Sequence, residues 1–139
     1  MSLIYTEAFA QYGAKLNNQN WSVSAFGSDG CLVVSLWQDW LKRGQEKGTL
    51  VYTDTLSHWK GNKDGQNELR RHLVAVKNSG APIKLVIAHP ASPEDAALVG
   101  KVSDESKIKK TFSVRPEVVG TLEDFQDEDT LRIVFRRSG

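Results

Sequence analysis

Two apolar runs, WSVSAFG (21–27) and CLVVSLWQ (31–38), flank Ser28-Asp29-Gly30 and constrain the fold of this chain more than any other feature. Both runs are rich in β-branched and aromatic side chains, and the intervening tripeptide supplies the left-handed residue that a short hairpin loop needs. The spacing therefore predicts an antiparallel hairpin over 21–37. Downstream, TLVYTDTL (49–56) reads as a further strand, and PIKLVIAHP (82–90) has the nearly continuous apolar core of a strand buried on both faces. TFSVRPEVVGTL (111–122) and TLRIVFRR (130–137) complete the series, joined by the acidic stretch EDFQDED, which no basic residue balances locally.

Helical periodicity alternates with these strands. Tyr5, Phe9, Tyr12 and Leu16, with Leu3 just ahead of them, recur at three- and four-residue steps and predict an amphipathic helix over 4–16, weakened at Gly13. Residues 38–47 are polar and helix-compatible. Leu69, Leu73 and Val76 form the apolar stripe of a helix started by Asp64 and stopped by Ser79-Gly80, and Ser92-Pro93 opens a short helix over 93–99. The expected fold class is mixed α+β. It comprises about three helices around a mixed sheet of five or six strands, with antiparallel hairpins near both ends. At 139 residues the chain is expected to form a single domain, either alone or as an N-terminal module of a longer parent.

Composition narrows the function classes. A 40% hydrophobic and 25% charged content is that of a folded domain, and a net charge of +1 is too balanced for binding nucleic acid by bulk charge. Any such contact has to come from a patch. Cys31 is the only cysteine, so an intramolecular disulfide and a thiolate zinc cluster are excluded, and its apolar neighbours mark a buried thiol. With no export leader and no run near the ~18 apolar residues of a membrane span, the expected location is the cytoplasm.

The motifs of chemistry are missing or carried in the wrong context. His58, His72 and His89 lack metal-site spacing, although Asp54, His58 and His72 could meet as a composite site. Gly27-Ser28-Asp29-Gly30 joins two strands and is no nucleophile elbow, and Gly61 and Gly65 are too sparse to cradle a pyrophosphate. Glu105-Ser106-Lys107, with Asp95 and Asp104 upstream, lies in a polar loop instead of on the rigid strand a metal-dependent nuclease needs. His72 follows Glu68 by four residues, which a helix surface pair explains. No cofactor is implied, and the residues carry no family signature.

One local asymmetry remains, in residues 55–77. Five basic residues (Lys60, Lys63, Arg70, Arg71, Lys77) stand there against two acidic ones (Asp64, Glu68). Beside His58, Trp59 offers a stacking face, Lys60, Lys63, Arg70 and Arg71 can neutralise phosphates, and Asn62, Gln66 and Asn67 can read base edges. Arg70 and Arg71 are expected to face solvent, and Arg132, Arg136 and Arg137 to extend the basic surface. The leading expectation is a non-enzymatic module that binds DNA or RNA through this loop and helix. Two alternatives stand beside it: a small-molecule or anion-binding domain, enzymatic or not, with a pocket near Trp59, Asp54, His58 and His72; and a protein-interaction domain or homodimer using Trp37 and Trp40.

Overall fold

The computed structural model describes residues 4–59, 61–99, 101 and 108–137. They form a mixed α+β fold around one open sheet of eight strands. In chain order the elements are α1 (Tyr5–Ala10), β1 (Ser24–Phe26), β2 (Leu32–Trp37), β3 (Lys42–Arg43), β4 (Leu50–Thr55), α2 (Lys63–Ser79), β5 (Ile83–Pro90), α3 (Pro93–Ala96), β6 (Lys110–Val114), β7 (Val118–Gln126) and β8 (Thr130–Arg137). Laterally the strands run β1-β2-β5-β7-β8-β4-β3, with β6 pairing on β5. Only the β2–β5 pair is parallel.

The period-two alternation of β2 and β5 divides the core between the two faces of the sheet. Leu32, Val34, Leu36, Ile83, Leu85 and Ile87 point to one face, where Leu69, Leu73 and Val76 of α2 cover them. Val33, Val86 and Ala88 point to the other and meet Ala8 and Phe9 of α1 together with Phe112. Strand β5 is thus buried on both sides, as its apolar run requires. The hairpin β1–β2 also forms as expected: Gly30 adopts φ 84°, and Gly27 donates its N–H to the Cys31 carbonyl at 2.8 Å. Cys31 is buried, and burial with the Asp29 carboxylate beside it pushes the thiol up to about 11.

Four expectations need correction. The sheet has eight strands, not five or six, because residues 42–43 pair with β4 and the run 111–122 is broken into β6 and β7 at Arg115-Pro116-Glu117. Residues 38–47 hold only a 3-10 turn (Gln38–Trp40) before β3, so they are not a helix. Helix α1 ends at Ala10, far short of 16: Gly13 turns left-handed at φ 69°, and the Tyr12 hydroxyl donates to the Leu85 carbonyl at 2.9 Å. Tertiary bonding overrides the helical period there, although Ala14 and Leu16 still pack in the same cluster. Finally, α2 is capped by Asn62, not opened by Asp64; the Asn62 Oδ1 accepts the Gly65 N–H at 3.1 Å. The short helix α3 has the expected serine cap, with Ser92 Oγ accepting the Asp95 N–H. Among the described residues no helix is long and apolar enough to cross a membrane.

Candidate nucleotide-binding cleft

Most of the residues singled out in 55–77 are occupied by structural work. Trp59 is half-buried against the α2-side core, and its indole N–H donates to Asp54 Oδ2 at 2.8 Å. Tyr52 donates its hydroxyl to the same oxygen, and the Thr55 N–H reaches Asp54 Oδ1 at 2.7 Å. Trp59 is therefore a pinned wall of the core, and its polar edge is spent. Asn62 is committed twice, since its Nδ2 also donates to the Trp21 carbonyl at 3.0 Å. Gln66 is buried, out of reach of a base edge.

The cations separate in the same way. Arg70 donates to the Glu128 carbonyl at 2.6 Å, to Asn67 Oδ1 at 2.9 Å and to Asp129 Oδ1 at 3.0 Å, which ties the outer side of α2 to the β7–β8 turn. The Ser57 hydroxyl bonded to Asp129, with Arg70 beside it, holds that carboxyl below the usual range. Lys77 donates to the Phe125 carbonyl. Exposed Lys63 and Arg71 have no ion pair among the described residues, and His58 is exposed. Lys60 lies outside the described residues, as does the Glu105-Ser106-Lys107 triplet.

The expected extension of the basic surface does not form from Arg132 and Arg136. Both face Glu123, at 3.5 and 3.1 Å, and Arg136 also approaches Glu46. The acidic stretch that looked unbalanced is balanced across the hairpin. Its tip is a tight turn in which Asp127 and Glu128 both adopt φ 54° and Asp129 donates back to Gln126. Asp54, His58 and His72 do not converge; among the described residues no three histidine, cysteine, aspartate or glutamate side chains are grouped to hold a metal ion.

What the fold builds instead lies on either side of Arg71. One side is an open groove of about 420 Å³ lined by Asn67, Arg70, Val74 and Glu128 as well as Arg71. On the other is a cleft of about 270 Å³ between α2, β1 and the segment after α1, lined in part by Lys15, Phe26, Glu68, Arg71 and His72. Helix α2 also packs closely on the chain before β1. A Cβ on Gly65 would collide with the Trp21 carbonyl, so only glycine lets the helix sit this near.

Polar groups fill the seam. Tyr5 donates to the Ser22 carbonyl at 2.6 Å, and Ser24 Oγ lies 2.8 Å from His72 Nδ1. The His72 ring meets Phe26 edge-on at 4.9 Å between centroids and 67° between planes. Burial pushes the imidazole below its ordinary pKa, with the Glu68 carboxylate opposing and Arg71 reinforcing the shift. His72 and Glu68 are accordingly not an exposed pair on the helix surface. Glu68 is only 3% exposed, and its Oε1 has no hydrogen-bond partner among the described residues. Phe26, in contrast, is 40% exposed at the end of the edge strand.

Sequence reasoning missed Lys15, Phe26 and Glu68, which are far apart in the chain and come together only when β1 docks on α2. Gly65 was the available signal: a glycine in the first turn of a helix, three residues before a glutamate, marks a side pressed against other backbone. Among known proteins, no family model, no curated sequence and no solved structure matches this chain.

Proposed function

We propose that this protein is a non-enzymatic module that binds single-stranded nucleic acid along the outer side of α2, centred on Arg71. The observation that carries this reading is the position of Arg71, an exposed guanidinium without an ion pair among the described residues, which borders both the groove and the cleft. Lys15 across the cleft and Lys63 at the start of the helix, both exposed, add charge for a phosphate backbone. Phe26 takes the stacking role expected of Trp59, since its ring is exposed beside these cations. A cleft of about 270 Å³ suits one unpaired base better than a duplex groove.

Anisotropy of a labelled single-stranded oligonucleotide tests the reading. Binding should weaken with added salt, and Arg71→Glu should reduce affinity about tenfold or more while flattening the salt slope by roughly one to two charges. Arg136→Glu, at a residue already paired with Glu123, should leave binding near wild type. Absence of binding to any oligonucleotide at low salt, or equal losses in both variants, rules the reading out.

A further inference from the structure

The floor of the smaller cleft is the least expected group in the protein: a carboxylate side chain, Glu68, 3% exposed, with Oε1 unpartnered among the described residues. A carboxylate oxygen removed from water without a hydrogen bond is unfavourable, so a ligand that brings an N–H donor to Oε1 relieves that cost on binding. The rim restricts which donor can enter. Arg71 and Lys15 line the same cleft and repel a metal ion, an ammonium or a guanidinium. No second carboxylate lines it to offset a cation.

A neutral, planar donor with an anionic tail meets all three conditions. Nucleobases differ in this respect. Guanine presents two adjacent donors, N1–H and N2–H2, on its pairing edge; adenine and cytosine set a ring acceptor beside their amino group, which would face the carboxylate with a lone pair. Uracil and thymine flank their single N–H with two carbonyls. Only guanine's edge matches both oxygens of a carboxylate without repulsion.

We propose that the cleft binds an unpaired guanine nucleotide, with Glu68 accepting from N1–H and N2–H2, Phe26 against the base and Arg71 and Lys15 on the phosphate. This rests on the nucleic-acid reading only for the source of the guanine, a base in a strand or a free nucleotide. Phe26 is suited to its part because His72, itself anchored on Ser24, holds the ring edge-on. The ring, 40% exposed, is available for stacking.

The test combines ligand-side and protein-side changes on the full chain. Titration calorimetry with GMP, IMP, AMP and CMP, and anisotropy with oligo-dT strands carrying one central G, A or C, should both favour guanine by about tenfold or more. IMP lacks the 2-amino group and should bind several-fold more weakly than GMP, a comparison that needs no variant. Glu68→Gln should abolish the preference for guanine, and Phe26→Ala, at an exposed site that does not threaten folding, should weaken every base alike. Strands that bind with equal affinity whatever the base overturn the guanine assignment and leave the nucleic-acid reading standing. GMP binding without any oligonucleotide binding keeps the assignment and sinks that reading. Failure of both ligand types sinks both.

Discussion

Asp54→Ala is expected to destabilise the protein by about 2–4 kcal/mol, because three donors converge on one carboxylate. Trp59 Nε1 and the Tyr52 hydroxyl share Oδ2, and the Thr55 N–H uses Oδ1. Removing the acceptor takes one hydrogen bond each from the indole N–H and the phenol at the edge of the α2-side core, where Tyr52 is buried and Trp59 half-buried. Asp54→Asn retains a single acceptor oxygen and can serve only one side of the network, so it should lose about half as much. Trp59→Phe removes one bond and should cost about 1–1.5 kcal/mol. Denaturant midpoints at constant slope measure all three. If Asp54→Ala stays within about 0.5 kcal/mol of wild type, this network contributes nothing to the fold. The same series separates stability from binding: with stacking assigned to Phe26, Trp59→Phe should leave oligonucleotide affinity unchanged, whereas a stacking role for Trp59 would make it fall.

The contrast between Trp59 and Phe26 shows which parts of this protein are legible in its sequence. Elements defined by their own residues are readable. Ser28-Asp29-Gly30 fixes the first hairpin, the apolar run of β5 implies burial on both faces, and Ser92-Pro93 starts α3. Elements defined by a distant partner are not. Strand β3 is two exposed residues, Lys42 and Arg43, that become a strand only because Val51 and Leu50 lie opposite them.

The site follows the same rule with larger consequences. Local charge counting marks 55–77 as basic, yet Arg70 finds its partners, the Glu128 carbonyl and the Asp129 carboxylate, 58 and 59 residues away in the β7–β8 turn. Arg132 and Arg136 meet Glu123 only through the register of that hairpin, at the irregularity between Leu122 and Asp124. A sequence shows where cations are dense, but pairing decides which remain available, and pairing is a tertiary property. Arg71 differs from Arg70 by one helical position, a rotation of about 100°, and that rotation leaves it outside the Asp129 network and between the two clefts.

Phe135→Ala should cost about 3–5 kcal/mol, as expected for an aromatic side chain with no exposed surface in the middle of a sheet. Its partner in register is Gly120 of β7, and this pairing makes the site unusual. A Cβ on Gly120 would fall 2.6 Å from Cε1 and 2.8 Å from Cδ1 of the Phe135 ring, and 3.1 Å from Cγ2 of Ile133. The ring lies across the space that a side chain on the neighbouring strand would fill, so the glycine is required by Phe135 and not by its own backbone, which has an ordinary negative φ. Gly120→Ala alone should therefore destabilise by about 1–3 kcal/mol through overpacking, since neither the buried ring nor the β8 backbone can retreat. In the double variant the new methyl enters the space the ring has left, and the cost should fall below the sum of the single losses by about 1 kcal/mol or more. Strict additivity would mean that the two positions do not share one volume. The cooperative contact between β7 and β8 would then have to be held by Val118, Phe125, Leu131 and Ile133, the remaining buried members of that pair of strands on the α2 face.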